Sequence, residues 1–196
     1  REVMSTSSCV YPNSSWATSP SARVSEVRVR LKMVRTTLKH GSSPLAAFAY
    51  GFYGVLLASV YQEIDKGYAF GQLSTRLLEH YGAEPLRAKI INLFDVFVRH
   101  WKEHLRNSLE TLPRGLQSGI DHGDFEYGSY NAIQHGKHQV ICGCPLEEVL
   151  EQQNAYIDVI DRLKMGYHLD FARIWRQLAI NLSGTFFVNL LIKVIG

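Results

Sequence analysis

The chain has 196 residues, 46% of them apolar, 20% charged and 11% aromatic, with 15 Gly and 6 Pro. Those fractions exclude collagen-like, low-complexity and wholly disordered proteins, and the length is ample for a hydrophobic core. The net charge of +3 is too small to point to nucleic acid, and it is unevenly placed: residues 1–43 carry seven Lys/Arg against two Asp/Glu, the remainder 14 against 16.

Residues 1–22 are rich in Ser, Thr, Pro and Asn without periodicity, so a flexible arm is expected there. They hold no continuous apolar stretch of the signal-peptide kind. The chain opens on Arg1, which suggests a fragment of something longer. From Val24 the pattern turns helical: Val24, Val27, Leu31, Val34 and Leu38 recur at spacings of three and four, and Gly41 with Pro44 ends the run. A second helix is expected from Pro44 to about Asp65, with no charged residue between Lys39 and Glu63. Ala47, Gly51, Gly54 and Ala58 give it a stripe of small residues. A helix apolar all round is either the buried centre of a helical array or a membrane span, and the stripe favours the buried centre.

A shorter helix follows, with Phe70, Leu73, Leu77 and Tyr81 on one face, closed by Gly82. Pro85 then opens a long helix in which Ile91, Phe94, Val98, Trp101 and Leu105 keep the rhythm, while Asp95, Arg99 and Glu103 form a solvated, internally paired outer face. Leu109, Leu112, Leu116 and Ile120 continue the apolar face, with Pro113 forcing a break or kink. Further helices are expected from Asp124 through Ile133, from Pro145 to Leu163, and across Phe171–Leu182. No alternation long enough for a strand is present, so the expected fold is all-α. Ile64-Asp65-Lys66-Gly67 is echoed 56 residues later by Ile120-Asp121-His122-Gly123, which predicts stacked antiparallel helical hairpins of tetratricopeptide-like character.

Catalytic signatures are missing from the sequence. There is no Gly-x-Gly-x-x-Gly, no Gly-x-x-x-x-Gly-Lys-Ser/Thr, no Gly-x-Ser-x-Gly and no His-Glu-x-x-His; Asp124-Phe125-Glu126 lacks the glycine of a kinase metal loop. No catalytic or cofactor-binding residue is therefore assigned. Three cysteines, Cys9, Cys142 and Cys144, make no disulfide framework and read as reduced thiols of a cytoplasmic compartment. Two groupings have metal-ligand character. His100 and His104 lie one helical turn apart, but they also continue the stripe through Leu93 and Phe97 and so read as bordering the core. His135, His138, Cys142 and Cys144 are denser, yet Cys-x-Cys is tighter than paired zinc cysteines, and a helix end with a buried thiol is the plainer reading. No metal ligand is assigned.

Several phrases of the sequence resemble one known family. Residues 38–50 (Leu-Lys-His-Gly-Ser-Ser-Pro-Leu-Ala-Ala-Phe-Ala-Tyr), 67–73 (Gly-Tyr-Ala-Phe-Gly-Gln-Leu), 98–105 (Val-Arg-His-Trp-Lys-Glu-His-Leu) and 117–127 (Gln-Ser-Gly-Ile-Asp-His-Gly-Asp-Phe-Glu-Tyr) resemble the helical region of large bacterial multi-sensor signalling kinases. In that family a serine/threonine kinase domain and a nucleotide-binding ATPase domain precede a tetratricopeptide-like region, and a GAF sensor and histidine kinase module usually follow. The resemblance spans about residues 24–183, and it implies a linker-scaffold whose partners are proteins or the other domains of the parent kinase. Residues 1–20 and 185–196 depart from the family, which suggests a truncated remnant. The expected organisation is a flexible arm at 1–22, a helical repeat domain at 23–184, and an apolar tail or capping helix at 185–196. The expected function is a non-catalytic, cytoplasmic signal-relay scaffold; the alternative is a small membrane-associated protein anchored by residues 44–62.

Overall fold

The computed structural model describes residues 28, 29, 31–37, 39, 41 and 43–184. Every regular element among them is helical, and no strand occurs. The contacts divide the chain into two compact units, residues 1–103 and residues 104–196.

In the first unit, the described residues between 28 and 39 are helical. Helix α1, Pro44–Ser59, begins with the proline at its first turn, where the missing N–H costs nothing. Helix α2, Ile64–Tyr81, ends on Gly82 in the left-handed conformation at φ 56°. A 3-10 turn at Glu84–Leu86 leads into the short α3, Arg87–Ile91. A π-helical turn, Asn92–Val96, and a 3-10 turn, Arg99–Trp101, complete the unit. Eleven of the 16 residues of α1 are buried, as its uncharged sequence predicts. The small-residue stripe lets it pack against α2 backbone to backbone: a Cβ on Gly54 would stand 2.7 Å from the Gly67 carbonyl oxygen, and one on Gly67 would stand 2.8 Å from that of Gly54. Phe52, Val55, Leu56, Leu93 and Val98 form the adjoining core.

The second unit opens with a 3-10 turn at Leu105–Asn107. It continues through α4 (Ser108–Asp121), α5 (Phe125–Ile141), α6 (Leu146–Arg162) and α7 (Gly166–Leu182). Leu116, Ala132, Ile133, Tyr156, Ile160, Leu169 and Ala172 form its core. Glycines again set a close crossing, since a Cβ on Gly119 would stand 2.7 Å from the Gly128 Cα. Gly67 and Gly128 are each the fourth residue of the second helix of their hairpin. Both hairpins turn alike: Gln62 (φ 57°) and Gly123 (φ 75°) are left-handed, and Glu63 (φ −87°, ψ 68°) and Asp124 (φ −91°, ψ 63°) follow. The turn into α7 repeats this at Lys164 (φ 59°) and Met165 (φ −92°, ψ 67°).

Two expectations need correction. The echo of Ile64–Gly67 is not Ile120–Gly123, because the first lies at the start of a helix and the second runs out of one; the structural counterpart of residues 63–67 is 124–128. The helix expected from Pro85 through Leu105 is broken into short pieces. Its π turn inserts a residue into the helical register, which rotates the later side chains away from the face their spacing implies. Trp101 is consequently 51% exposed instead of packed, while Asp95 is only 2% exposed instead of solvated. Residues 1–22 and 185–196, expected as arm and tail or cap, lie outside the described residues.

Candidate functional site

The densest polar grouping is the interior of the second unit, around α5. That helix buries Ser129, Tyr130, Asn131, Gln134, His135 and His138. A helix this polar would not bury itself without partners, because each unmatched group costs about 1–3 kcal/mol. Its histidines have them. Pro113, inside α4, has no N–H to give to the carbonyl of Leu109 four residues earlier. His135 makes a backbone hydrogen bond at Leu109, and its Nδ1 lies 2.9 Å from the Tyr156 hydroxyl. With the other ring nitrogen on the backbone, the phenol donates to Nδ1. Burial holds the His135 pKa below its ordinary value and raises that of Tyr156, so both stay neutral.

His138 Nδ1 lies 2.7 Å from Ser108 Oγ. Ser108 gives its one hydroxyl proton to the Leu105 carbonyl at 2.6 Å, so His138 donates and the serine accepts. This is the reverse of a nucleophilic Ser–His pair, in which histidine takes the serine proton. Ser108 is also buried, out of reach of a substrate. His168, on α7, packs its ring 4.3 Å from that of Tyr130, and burial pushes its pKa down to about 4. Neither of its ring nitrogens has a hydrogen-bond partner among the described residues. The cavity bordered by Gly136, Gln153 and Trp175 measures about 10 Å³, room for one water at most. Beside it, Lys137 Nζ sits 5.8 Å over the Trp175 ring, and burial lowers its pKa to about 8.

The first unit carries the internal pairing expected of Asp95, Arg99 and Glu103, but buried or half-buried instead of solvated. Arg99 bonds Asp95 at 3.1 Å and Glu103 at 2.8 Å. Burial opposes the Arg99 charge, but the two carboxylates outweigh it and raise its pKa. Tyr68 donates to Glu103 at 2.5 Å and accepts from Gln72 at 3.0 Å; the bond to Glu103 raises the phenol pKa. Lys102 pairs with Asp65. Each charge here is answered by another on the same unit, an arrangement that fixes geometry more than it offers reactivity.

The candidate metal ligands are not assembled. His100 stacks on Trp101 at 5.0 Å, and His104 is exposed, its Nδ1 accepting from the Arg106 backbone N–H at 3.1 Å. His104 therefore caps a turn instead of bordering the core. His135 and His138 are spent on the hydrogen bonds above. Cys142 and Cys144 are half-buried past the end of α5, and burial raises the Cys142 pKa. Among the described residues, no group of three His, Cys, Asp or Glu side chains is placed to hold a metal ion. Among them, too, no helix is long and apolar enough to cross a membrane, so the anchoring alternative for 44–62 is not favoured.

Comparison with known proteins supports a relation to signalling kinases. Over 157 residues, 79% of the chain, it is 25% identical to hybrid signal transduction histidine kinase G of Dictyostelium discoideum. The chain spans about 5% of that protein's length. This relative is not bacterial, so the bacterial part of the expected resemblance is unsupported. No family description matches the chain, and no solved structure matches it.

Proposed function

We propose that the chain is a non-catalytic helical scaffold, a relay segment of a cytoplasmic multi-domain signalling kinase whose other domains or protein partners it contacts. The observation that carries this reading is the alignment with a histidine kinase across 79% of the chain and only 5% of the relative. A segment so short a part of a large signalling protein, built from helical hairpins, is a connector more readily than an engine. The three alike turns, at residues 62–63, 123–124 and 164–165, suit stacked hairpins of tetratricopeptide-like character, a form that presents extended protein-binding surfaces. Ser108, His135 and His138 are committed to internal bonds, which fits a scaffold.

A graft tests it. Residues 24–183 placed into the matching segment of the Dictyostelium kinase should preserve stimulus-dependent phosphorylation, whereas a flexible linker of equal length should abolish it. Equal output from graft and linker would remove the relay role.

A further inference from the structure

The turn between α5 and α6 carries two free thiols, Cys142 and Cys144, both half-buried. The backbone fixes the chain there. Cys142 is right-handed (φ −77°, ψ −2°) and Gly143 left-handed (φ 69°). The Gly143 N–H donates to the Val140 carbonyl at 3.1 Å and the Cys144 N–H to that of Gln139 at 3.0 Å, the paired closure of a helix C-terminus. Arg106, from the turn before α4, donates its Nη2 proton to the Cys142 carbonyl at 2.7 Å. Pro145 sets the backbone on the far side, where α6 begins. Residues two apart have their Cα atoms at most about 7 Å from each other, so two thiol side chains at this turn can reach one ion.

Which ion follows from the ligands at hand. A structural zinc ion takes four. The histidines that could join the thiols are taken, His135 by Tyr156 and His138 by Ser108. Among the described residues no set of three metal-binding side chains is assembled. A soft monovalent ion such as Cu(I) needs less: thiolate is its preferred ligand, and two sulfurs in line satisfy it. Charge favours the same ion. Burial disfavours the Cys142 thiolate, the Arg106 guanidinium favours it, and the neighbouring Cys144 disfavours it. A cation between the sulfurs removes the repulsion of the pair. The one negative charge then left over faces Arg106.

We propose that Cys142 and Cys144 bind one soft monovalent metal ion of the Cu(I) kind through their two sulfurs, with Arg106 balancing the charge. Each thiol releases its proton to solvent as its metal–sulfur bond forms, and neither sulfur nor metal changes oxidation state.

The test uses the full chain with Cys9→Ser, reduced and free of oxygen, so that two thiols remain. It should withdraw one equivalent of Cu(I) per chain from a chromogenic chelator and stay at the mass of the metal-free protein. No uptake, or one ion shared by two chains, would overturn the proposal. In the loaded protein both cysteines should resist alkylation, as mapped by mass spectrometry; protection of one alone would overturn the pairing. Excess Zn(II) should leave the copper in place, and its displacement would show a site with further ligands and refute a two-sulfur one. Cys142→Ser and Cys144→Ser should each abolish uptake while circular dichroism shows the helices intact. Arg106→Glu should weaken the affinity several-fold, the scale of an exposed charge interaction. An unchanged affinity in that variant would overturn the site as built here.

Discussion

Pro113 and His135 answer each other. The proline leaves the Leu109 carbonyl without its helical donor, and the histidine bonds the backbone there while accepting from Tyr156. His135→Leu should cost about 2–3 kcal/mol, because the carbonyl and the phenol are both left unmatched inside the protein. Pro113→Ala restores a backbone N–H, so it should recover at least about 1 kcal/mol more in the His135→Leu background than in the native chain. Denaturant melts of the four proteins measure this coupling, and additive effects would contradict the pairing. His168 sets a pH limit. Its folded pKa, about 4, lies below the ordinary 6.5, so between those values the unfolded chain binds a proton that the folded one refuses. Stability should be full above pH 6.5 and fall as pH drops toward 4, by about 2–3 kcal/mol for this group. His168→Leu should flatten that acid limb; His135, shifted in the same direction, leaves part of it. An equally steep limb in the variant would assign the loss to other groups. Trp101 tests the register shift. Because it is half exposed, Trp101→Ala should change stability by about 1 kcal/mol or less, far from the roughly 3–5 expected of a core tryptophan.

At the scale of elements, glycines decide how near two helices come. Gly54→Ala places a methyl 2.7 Å from a backbone oxygen, which no side-chain rotation relieves, so α1 and α2 must separate. The expected cost is about 2–4 kcal/mol. Gly82→Ala is the contrast: its Cβ meets nothing within 4 Å, and only the left-handed backbone is strained, for about 1 kcal/mol. Thermal melts that failed to separate the two would argue against the close crossing. The stripe of Ala47, Gly51, Gly54 and Ala58 is legible in the sequence because small residues at helical spacing have few other uses in an uncharged helix. The boundaries at Gly82 and Pro145 are legible too, because glycine takes the left-handed closing conformation at little cost and the fixed φ of proline suits a helix start. The break after Ile91 is not. Ile91, Phe94, Val98 and Trp101 satisfy helical spacing, and nothing in that rhythm announces a π turn; within it the Phe94 ring lies tight against α2, where a Cβ on Gly71 would overlap it. The interior of the second unit is equally hidden. Histidines three apart, such as His135 and His138, look alike whether they hold a metal or a serine and a tyrosine; the partners Ser108 and Tyr156 stand 30 and 21 residues away.

For the molecule as a whole, the question is whether any of this polar chemistry is available to a substrate. Phosphoryl transfer is catalysed by positioning and charge neutralisation, which need a phosphate cradle, a cation on the phosphates and carboxylates for magnesium. The chain has no glycine-rich phosphate loop in its sequence. Its buried carboxylate Asp95 is held by Arg99, and Glu103 takes bonds from both Arg99 and Tyr68. Freeing either for magnesium would leave Arg99 short of a partner in a half-buried position, a cost of several kcal/mol that a bound metal would first have to repay. Lys137 has the lowered pKa of a reactive amine, but it faces an aromatic ring beside a cavity of about 10 Å³, too small for a nucleotide. Titration of the full chain with magnesium-ATP should therefore give dilution heat only, and the protein should release no phosphate from it. Saturable binding at micromolar affinity would show a nucleotide site and refute the scaffold reading, whatever the outcome of the graft.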